Sequence, residues 1–172
     1  MNIALVELKA KISDIDEMRM KILRIGAIFT RKYAQKDTYF NVDQGRLKIR
    51  ETDGKEVAEI LFYERPDVPE IKRSNITLLE THSPTVAIDL FSKLFPIKNV
   101  VKKTREVYRL EDTQIHLDSL AELGTFLEFE HPVIGDGTEV EKARKLLEDY
   151  CKRLGIEKQD LQAYSYADLL SK

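Results

Sequence analysis

The chain has 172 residues, 42% of them hydrophobic and 34% charged, a length and apolar content suited to one domain spanning residues 1–172 with a heavily charged surface. Its 28 basic and 30 acidic side chains leave a formal charge of -2, which argues against a general nucleic-acid or membrane-surface binder, since those carry a basic excess. The single cysteine, Cys151, excludes an internal disulfide and a cysteine-rich zinc site, and the lack of a long apolar run predicts neither secretory leader nor membrane span, hence a cytoplasmic location.

Ala4, Val6, Leu8, Ala10 and Ile12 alternate with Glu7, Lys9 and Lys11, the period of two expected of a half-buried strand. Ser13 with Asp16 reads as a capping box opening a helix. Ile15, Met18, Ile22 and Ile25 give that helix one apolar stripe before Gly26 ends it. From 27 to 65 the chain predicts successive antiparallel strands, AIFTRKYA, KDTYFNV, RLKIRET and EVAEILFYER, with turns at Asp43-Gln44-Gly45 and Asp53-Gly54. Pro66 and Pro69 bound a loop before the strand IKRSNITLLET. Ser83-Pro84 starts a second helix, with Val86, Leu90 and Leu94 as its buried stripe and Phe91 and Phe95 widening it. VVKKTREVYRL, TQIHLDSL and TFLEFEHP predict three further strands. Residues 138–154 predict a third helix with Val140, Ala143, Leu147, Tyr150 and Leu154 inward, and the tail QDLQAYSYADLL is apolar enough to dock.

Eight or nine mostly antiparallel strands in so short a chain favour a closed or nearly closed barrel, which leaves few exposed sheet edges. The polar parities are of two kinds. Lys9, Lys11, Arg46, Lys48, Arg50, Arg73, Lys103 and Arg105 are cationic, whereas Glu7, His116, Asp118, Glu128 and Glu130 are acidic or imidazole. One reading makes these ordinary solvent faces, because alternation sends one parity to water. The other turns the polar parities inward and packs the apolar ones beneath the helices. Such a lumen would suit a polyanion, whose phosphates match several Lys and Arg donors through charge-assisted bonds. Its carboxylates, beside phosphate oxygens, would suit Mg²⁺ or Mn²⁺. His116 alone reads as a lumen or surface histidine, and Cys151 as a packing residue.

In their order along the chain these segments resemble the CYTH domain, the triphosphate tunnel metalloenzymes that include class IV adenylyl cyclases and thiamine or inorganic triphosphatases. Val6-Glu7-Leu8-Lys9 resembles the N-terminal E-x-E-x-K signature, Arg46-Leu47-Lys48-Ile49-Arg50 the first K-x-R strand, and Lys103-Thr104-Arg105 the second. His116-Leu117-Asp118 with Leu123-Gly124-Thr125-Phe126-Leu127-Glu128-Phe129-Glu130 resembles the D…LG-x-F-x-E-x-E segment, and Ser165-Tyr166-Ala167-Asp168-Leu169-Leu170 the S-Y-x-x-L-L ending.

The resemblance implies an α+β fold, an antiparallel closed eight-stranded β-barrel flanked by helices. It implies that Lys9, Lys48, Arg50, Arg73, Lys103 and Arg105 bind a nucleoside or other triphosphate, and that Glu7, Glu128 and Glu130 hold Mg²⁺ or Mn²⁺. Lys9 and Asp118 are the catalytic candidates, Asp118 as a metal ligand or as the group that orients the nucleophile. The reaction implied is conversion of ATP to cyclic AMP and pyrophosphate, or hydrolysis of a triphosphate. No nucleic-acid or membrane partner is expected, and helix faces outside a barrel could build a homodimer. Two departures stand out. Leu5 occupies the place of the signature's first Glu, and Glu64-Arg65-Pro66 lies where Lys-Gly-Pro is common, so the cation there is either lost or supplied by Arg65. They keep open an alternative, a non-catalytic nucleotide- or polyphosphate-binding module on the same fold.

Overall fold

In the computed structural model, which describes residues 1–135 and 137–172, the first strand is hydrogen-bonded on both of its edges. Strand β1 (Asn2–Ile12) pairs antiparallel with β5 (Lys72–Thr81) on one side and with β8 (Gly124–Pro132) on the other. The remaining strands are β2 (Ile28–Phe40), β3 (Arg46–Thr52), β4 (Ala58–Glu64), β6 (Ile97–Leu110) and β7 (Thr113–Leu120). They complete a closed barrel in the order β1-β5-β4-β3-β2-β6-β7-β8. Helices α1 (Ile15–Arg24), α2 (Pro84–Leu94), α3 (Gly137–Leu154) and α4 (Tyr166–Leu170) flank it. The α+β barrel expected from the sequence is the observed fold.

Helix packing outside the barrel decides which strand parity faces in. Val6 and Leu8 of β1, Ile115 and Leu117 of β7, and Leu127 and Phe129 of β8 are buried beneath Met18 and Ile22 of α1 and Ala143, Leu147, Tyr150 and Leu154 of α3. Each fully buried side chain of this size contributes about 1.5–3 kcal/mol. A one-residue slip of any strand would send this set into the lumen. The opposite parity, with Lys9, Lys48, Lys103, Arg105, His116 and Asp118, is therefore directed inward, and all six are buried. The reading of these charges as solvent faces is overturned.

A second apolar cluster seats α2. Phe40, Leu47, Ile49 and Ala58 pack against Ala87, Ile88, Phe91 and Phe95, and the Phe91 ring lies 5.8 Å from Phe40 and 6.5 Å from Phe95. This corrects the expected stripe: Val86, Leu90 and Leu94 are 67%, 55% and 64% exposed. The helix is turned so that its two phenylalanines face the sheet, because an aromatic ring buries more apolar area than a Val or Leu side chain.

Two local expectations also change. The segments AIFTRKYA and KDTYFNV lie on one long strand, β2, which pairs with β6 from Ile28–Arg109 to Phe40–Ile97 through two register shifts. Nothing between them breaks a strand, since Ala34-Gln35-Lys36 contains no turn former. The N-cap of α1 is Asp14 rather than Ser13, and its carboxylate accepts hydrogen bonds from the Asp16 and Glu17 amides at 2.9 Å each. Gly45, at the β2–β3 turn, has φ +66°, and a Cβ there would lie 2.7 Å from the Phe62 ring, so the turn admits only glycine. The tail docks as anticipated, with a bridge from Leu161 to Ala10 and with Tyr166 and Ala167 buried. Among the described residues no helix is long and apolar enough to cross a membrane.

Candidate functional site

The barrel encloses a cavity of about 580 Å³, within the range of small-molecule sites. Strand register stocks it with charge. Residues opposite one another on paired strands share a face, so Asp37 faces Arg50, Arg105 faces Asp118, and Glu128 lies between Lys9 on β1 and His116 on β7.

Three carboxylates hold the cations in place. Asp37 accepts from Lys48 Nζ at 2.7 Å and from Arg50 Nε and Nη2 at 2.8 and 3.0 Å. Asp118 accepts from Lys103 Nζ at 2.8 Å, from Arg105 Nε and Nη2 at 2.7 and 2.6 Å, and from the Tyr166 hydroxyl at 3.0 Å. Glu128 pairs with Lys9 at 3.2 Å and also accepts from Arg105. The Lys9 ammonium sits 3.5 Å from the centre of the Tyr166 ring, a cation–π contact that ties α4 to the lumen.

Burial works against every charge here, and the neighbours decide the outcome. Burial would raise the Asp37 and Asp118 carboxyls, but the adjacent Arg and Lys groups outweigh it and hold both well below the usual carboxylate range. The lysines move the other way. Burial, helped by the Arg50 guanidinium, lowers Lys48 to about 7 against the pull of Asp37. Burial likewise lowers Lys9 to about 8, although Glu128 opposes it.

Nine of the ten candidate site residues lie on the inward parity. The exception is Arg73, which is exposed and donates to Asn75 Oδ1 at 3.1 Å. Its neighbour Lys72 turns inward instead but is committed to structure. Its Nζ donates to the carbonyls of Val68, Gln162 and Ala163 at 2.8, 3.3 and 3.1 Å, tying the tail to β5. Arg65 lines the cavity and is hydrogen-bonded to Glu7. Glu7 lies opposite Glu130 across β1 and β8, and the carboxylates of Glu128 and Glu130 share a cluster with His116, all within 4.8 Å. Leu5 lines the cavity together with Ile3, Ile76 and Leu78, so hydrocarbon occupies this part of the wall.

Sequence reasoning missed Asp37, which sits between two cations and is only 2% exposed. Its parity with Gln35 and Tyr39 becomes readable once β2 is taken as one strand.

Residues 5–166 match the family model of the CYTH domain. A Methanocaldococcus jannaschii protein named "Putative adenylate cyclase MJ0240" is 30% identical over 173 residues, covering 95% of this chain and 97% of that protein. Among solved structures, the PH1012 protein of Pyrococcus horikoshii superposes with a TM-score of 0.86 at 27% identity, covering 96% of this chain and 98% of that one. HpAC1 of Hippeastrum, named a "putative adenylyl cyclase" with a dominant triphosphatase activity, shares the fold with a TM-score of 0.65 at 18% identity, over 96% of this chain and 93% of that one.

Proposed function

The chain belongs to the CYTH domain family, and from that premise we propose that it is a metal-dependent enzyme acting on a triphosphate compound held in the barrel, by nucleotidyl cyclisation or by hydrolysis. One observation carries the reading. Lys48 and Arg50 on β3 and Lys103 and Arg105 on β6 converge on one closed lumen that also holds Glu128 and Glu130.

Phosphoryl transfer depends mainly on positioning and charge neutralisation, and this lumen supplies both. A triphosphate would draw the four cations from Asp37 and Asp118 onto its oxygens, exchanging carboxylate partners for phosphate ones. Asp37 and Asp118 stay ionised at neutral pH, so they are positioning residues that aim the cations rather than proton donors. Lys9, lying between Glu128 and the Tyr166 ring, is placed to meet a phosphate oxygen at the acidic side of the lumen. The carboxylates of Glu128 and Glu130 are the right donors for Mg²⁺ or Mn²⁺. When bound, such an ion would polarise phosphate oxygens as a Lewis acid.

The reading is tested by incubating the protein with ATP, thiamine triphosphate and inorganic triphosphate, each with Mg²⁺ or Mn²⁺, and separating the products. Cyclic AMP with pyrophosphate would make it a cyclase, and orthophosphate release a hydrolase. Binding without any product would favour the non-catalytic module, a possibility supported by Leu5 standing in place of a carboxylate. Glu130→Ala should reduce turnover at least about 1,000-fold, the scale of losing charge stabilisation in a transition state, while calorimetry still detects triphosphate binding. Loss of both would remove the metal role from Glu130.

Lys48 adds a pH signature. It faces Asp37, Arg50, Tyr39, Tyr63 and Lys103, and its folded-state value is depressed to about 7. A bound polyanion raises it again, so binding should take up a proton between about pH 7 and 9, and affinity should fall as pH rises through that window. Calorimetry in two buffers of different ionisation enthalpy measures the uptake. A heat independent of buffer at pH 8 would show that Lys48 does not meet the anion.

A further inference from the structure

Among the described residues, His116 is the one imidazole in the acidic part of the lumen, and its hydrogen bonding is lopsided. The Nε2 atom lies 3.3 Å from the Gln114 side-chain oxygen, an acceptor that the Nε2–H tautomer satisfies. The Nδ1 lone pair is then left facing Glu130 Oε1 at 3.7 Å and Glu128 Oε2 at 3.9 Å. The ring is 3% exposed and Nδ1 has no hydrogen-bond partner. A buried acceptor aimed at two carboxylates is unfavourable without a cation beside it, and the Arg105 guanidinium, which donates to Glu128 Oε2, leaves Nδ1 without a partner.

Two ligands each about 2.1 Å from one metal ion lie about 3.0–4.2 Å apart, and both separations fall inside that range. Fixing the tautomer through the distal ring nitrogen is also how metal-bound histidines are generally held. Register makes the cluster. His116 and Glu128 are direct cross-strand partners, and Glu130 lies one step further along the same face of β8. Glu7, the cross-strand partner of Glu130, is hydrogen-bonded to Arg65 in this arrangement, as Glu128 is to Arg105.

We propose that His116 Nδ1 is a direct metal ligand beside Glu128 and Glu130, making a mixed nitrogen–oxygen seat that binds Mn²⁺ in preference to Mg²⁺. The proposal rests on the metal-dependent reading above. An imidazole donor adds little for Mg²⁺, a hard ion that keeps its waters, and more for a transition ion. The chain thereby gains at β7 a donor in the region where Leu5 and the Arg65–Glu7 pair leave the site short.

The test uses the full chain with Mn²⁺ as probe. Electron spin-echo spectroscopy should show nitrogen modulation from a directly bound imidazole, and the pattern should change when histidine alone is labelled with ¹⁵N, which needs no variant. His116→Gln should remove the nitrogen signal and weaken Mn²⁺ binding by about tenfold or more, with Mg²⁺ affinity changing less than about twofold. His82→Asn and His131→Gln should leave both unchanged. Bound Mn²⁺ without nitrogen coupling, or equal loss of Mn²⁺ and Mg²⁺ affinity in His116→Gln, overturns the proposal. Inorganic triphosphate binding, measured on the same samples without metal, separates the two ideas. Triphosphate binding with nitrogen-free Mn²⁺ rejects only His116, whereas nitrogen-bound Mn²⁺ with no triphosphate binding supports His116 and rejects the triphosphate reading.

Discussion

Replacing Asp118 by alanine should cost about 3–5 kcal/mol of stability in the absence of ligand, the scale for removing one partner of a buried ion pair. Lys103 and Arg105 are 2% and 4% exposed, so neither can turn to water when its carboxylate goes. Glu128 would remain to Arg105, but Lys103 would lose its acid and the Tyr166 hydroxyl its acceptor. Urea titration measures the loss, and Asp118→Asn should fall between wild type and alanine because it keeps an acceptor without the charge. Inorganic triphosphate should stabilise Asp118→Ala more than it stabilises the wild type, since the cations no longer have to leave a carboxylate to meet it. A loss below about 1 kcal/mol would mean that the pairs relax cheaply, and the account of the lumen as a set of caged cations would fail.

The second large effect is a contrast between two arginines. Arg50→Ala should weaken inorganic triphosphate binding by about 100-fold, the worth of one or two charge-assisted hydrogen bonds at about 1.5–3 kcal/mol each. Arg73→Ala should change it less than about twofold, because that guanidinium lies outside the barrel beside Asn75. Titration calorimetry at constant salt decides between them. Equal effects would show that the anion binds on the outer surface and would undo the assignment of the lumen as the site.

The Arg73 case shows what was legible in the sequence and what was not. Alternation revealed the strands and the apolar parity of β1, and the order of motifs pointed to a closed barrel with charge on one parity. Adjacent basic residues defeat that logic. Lys72 and Arg73 differ by one position, and only the pairing of Glu7 with Lys72 across β1 and β5 decides which faces in. Asp37 was hidden for a related reason, because an apparent break in β2 disguised its parity. The seat of α2 could not be read from periodicity, since Val86, Leu90 and Leu94 form as regular a helical stripe as the buried residues do. Aromatic bulk settled it. His116 was visible as a residue but not as part of a cluster, because its surroundings come from Gln114 on its own strand and from carboxylates on the next.

Closure of the sheet also has a consequence for biosynthesis. Because β1 is bonded to β8, more than a hundred residues further along the chain, a chain translated only as far as β7 cannot have a walled lumen. The caged cations gain their complete set of partners only when Tyr166 arrives, after every strand has emerged. Such long-range pairing predicts slow, all-or-none folding. A ribosome-bound chain ending before β8 would present unpaired edges on β1 and β7, so the interval before the last strand appears is when this protein is most exposed to misassembly.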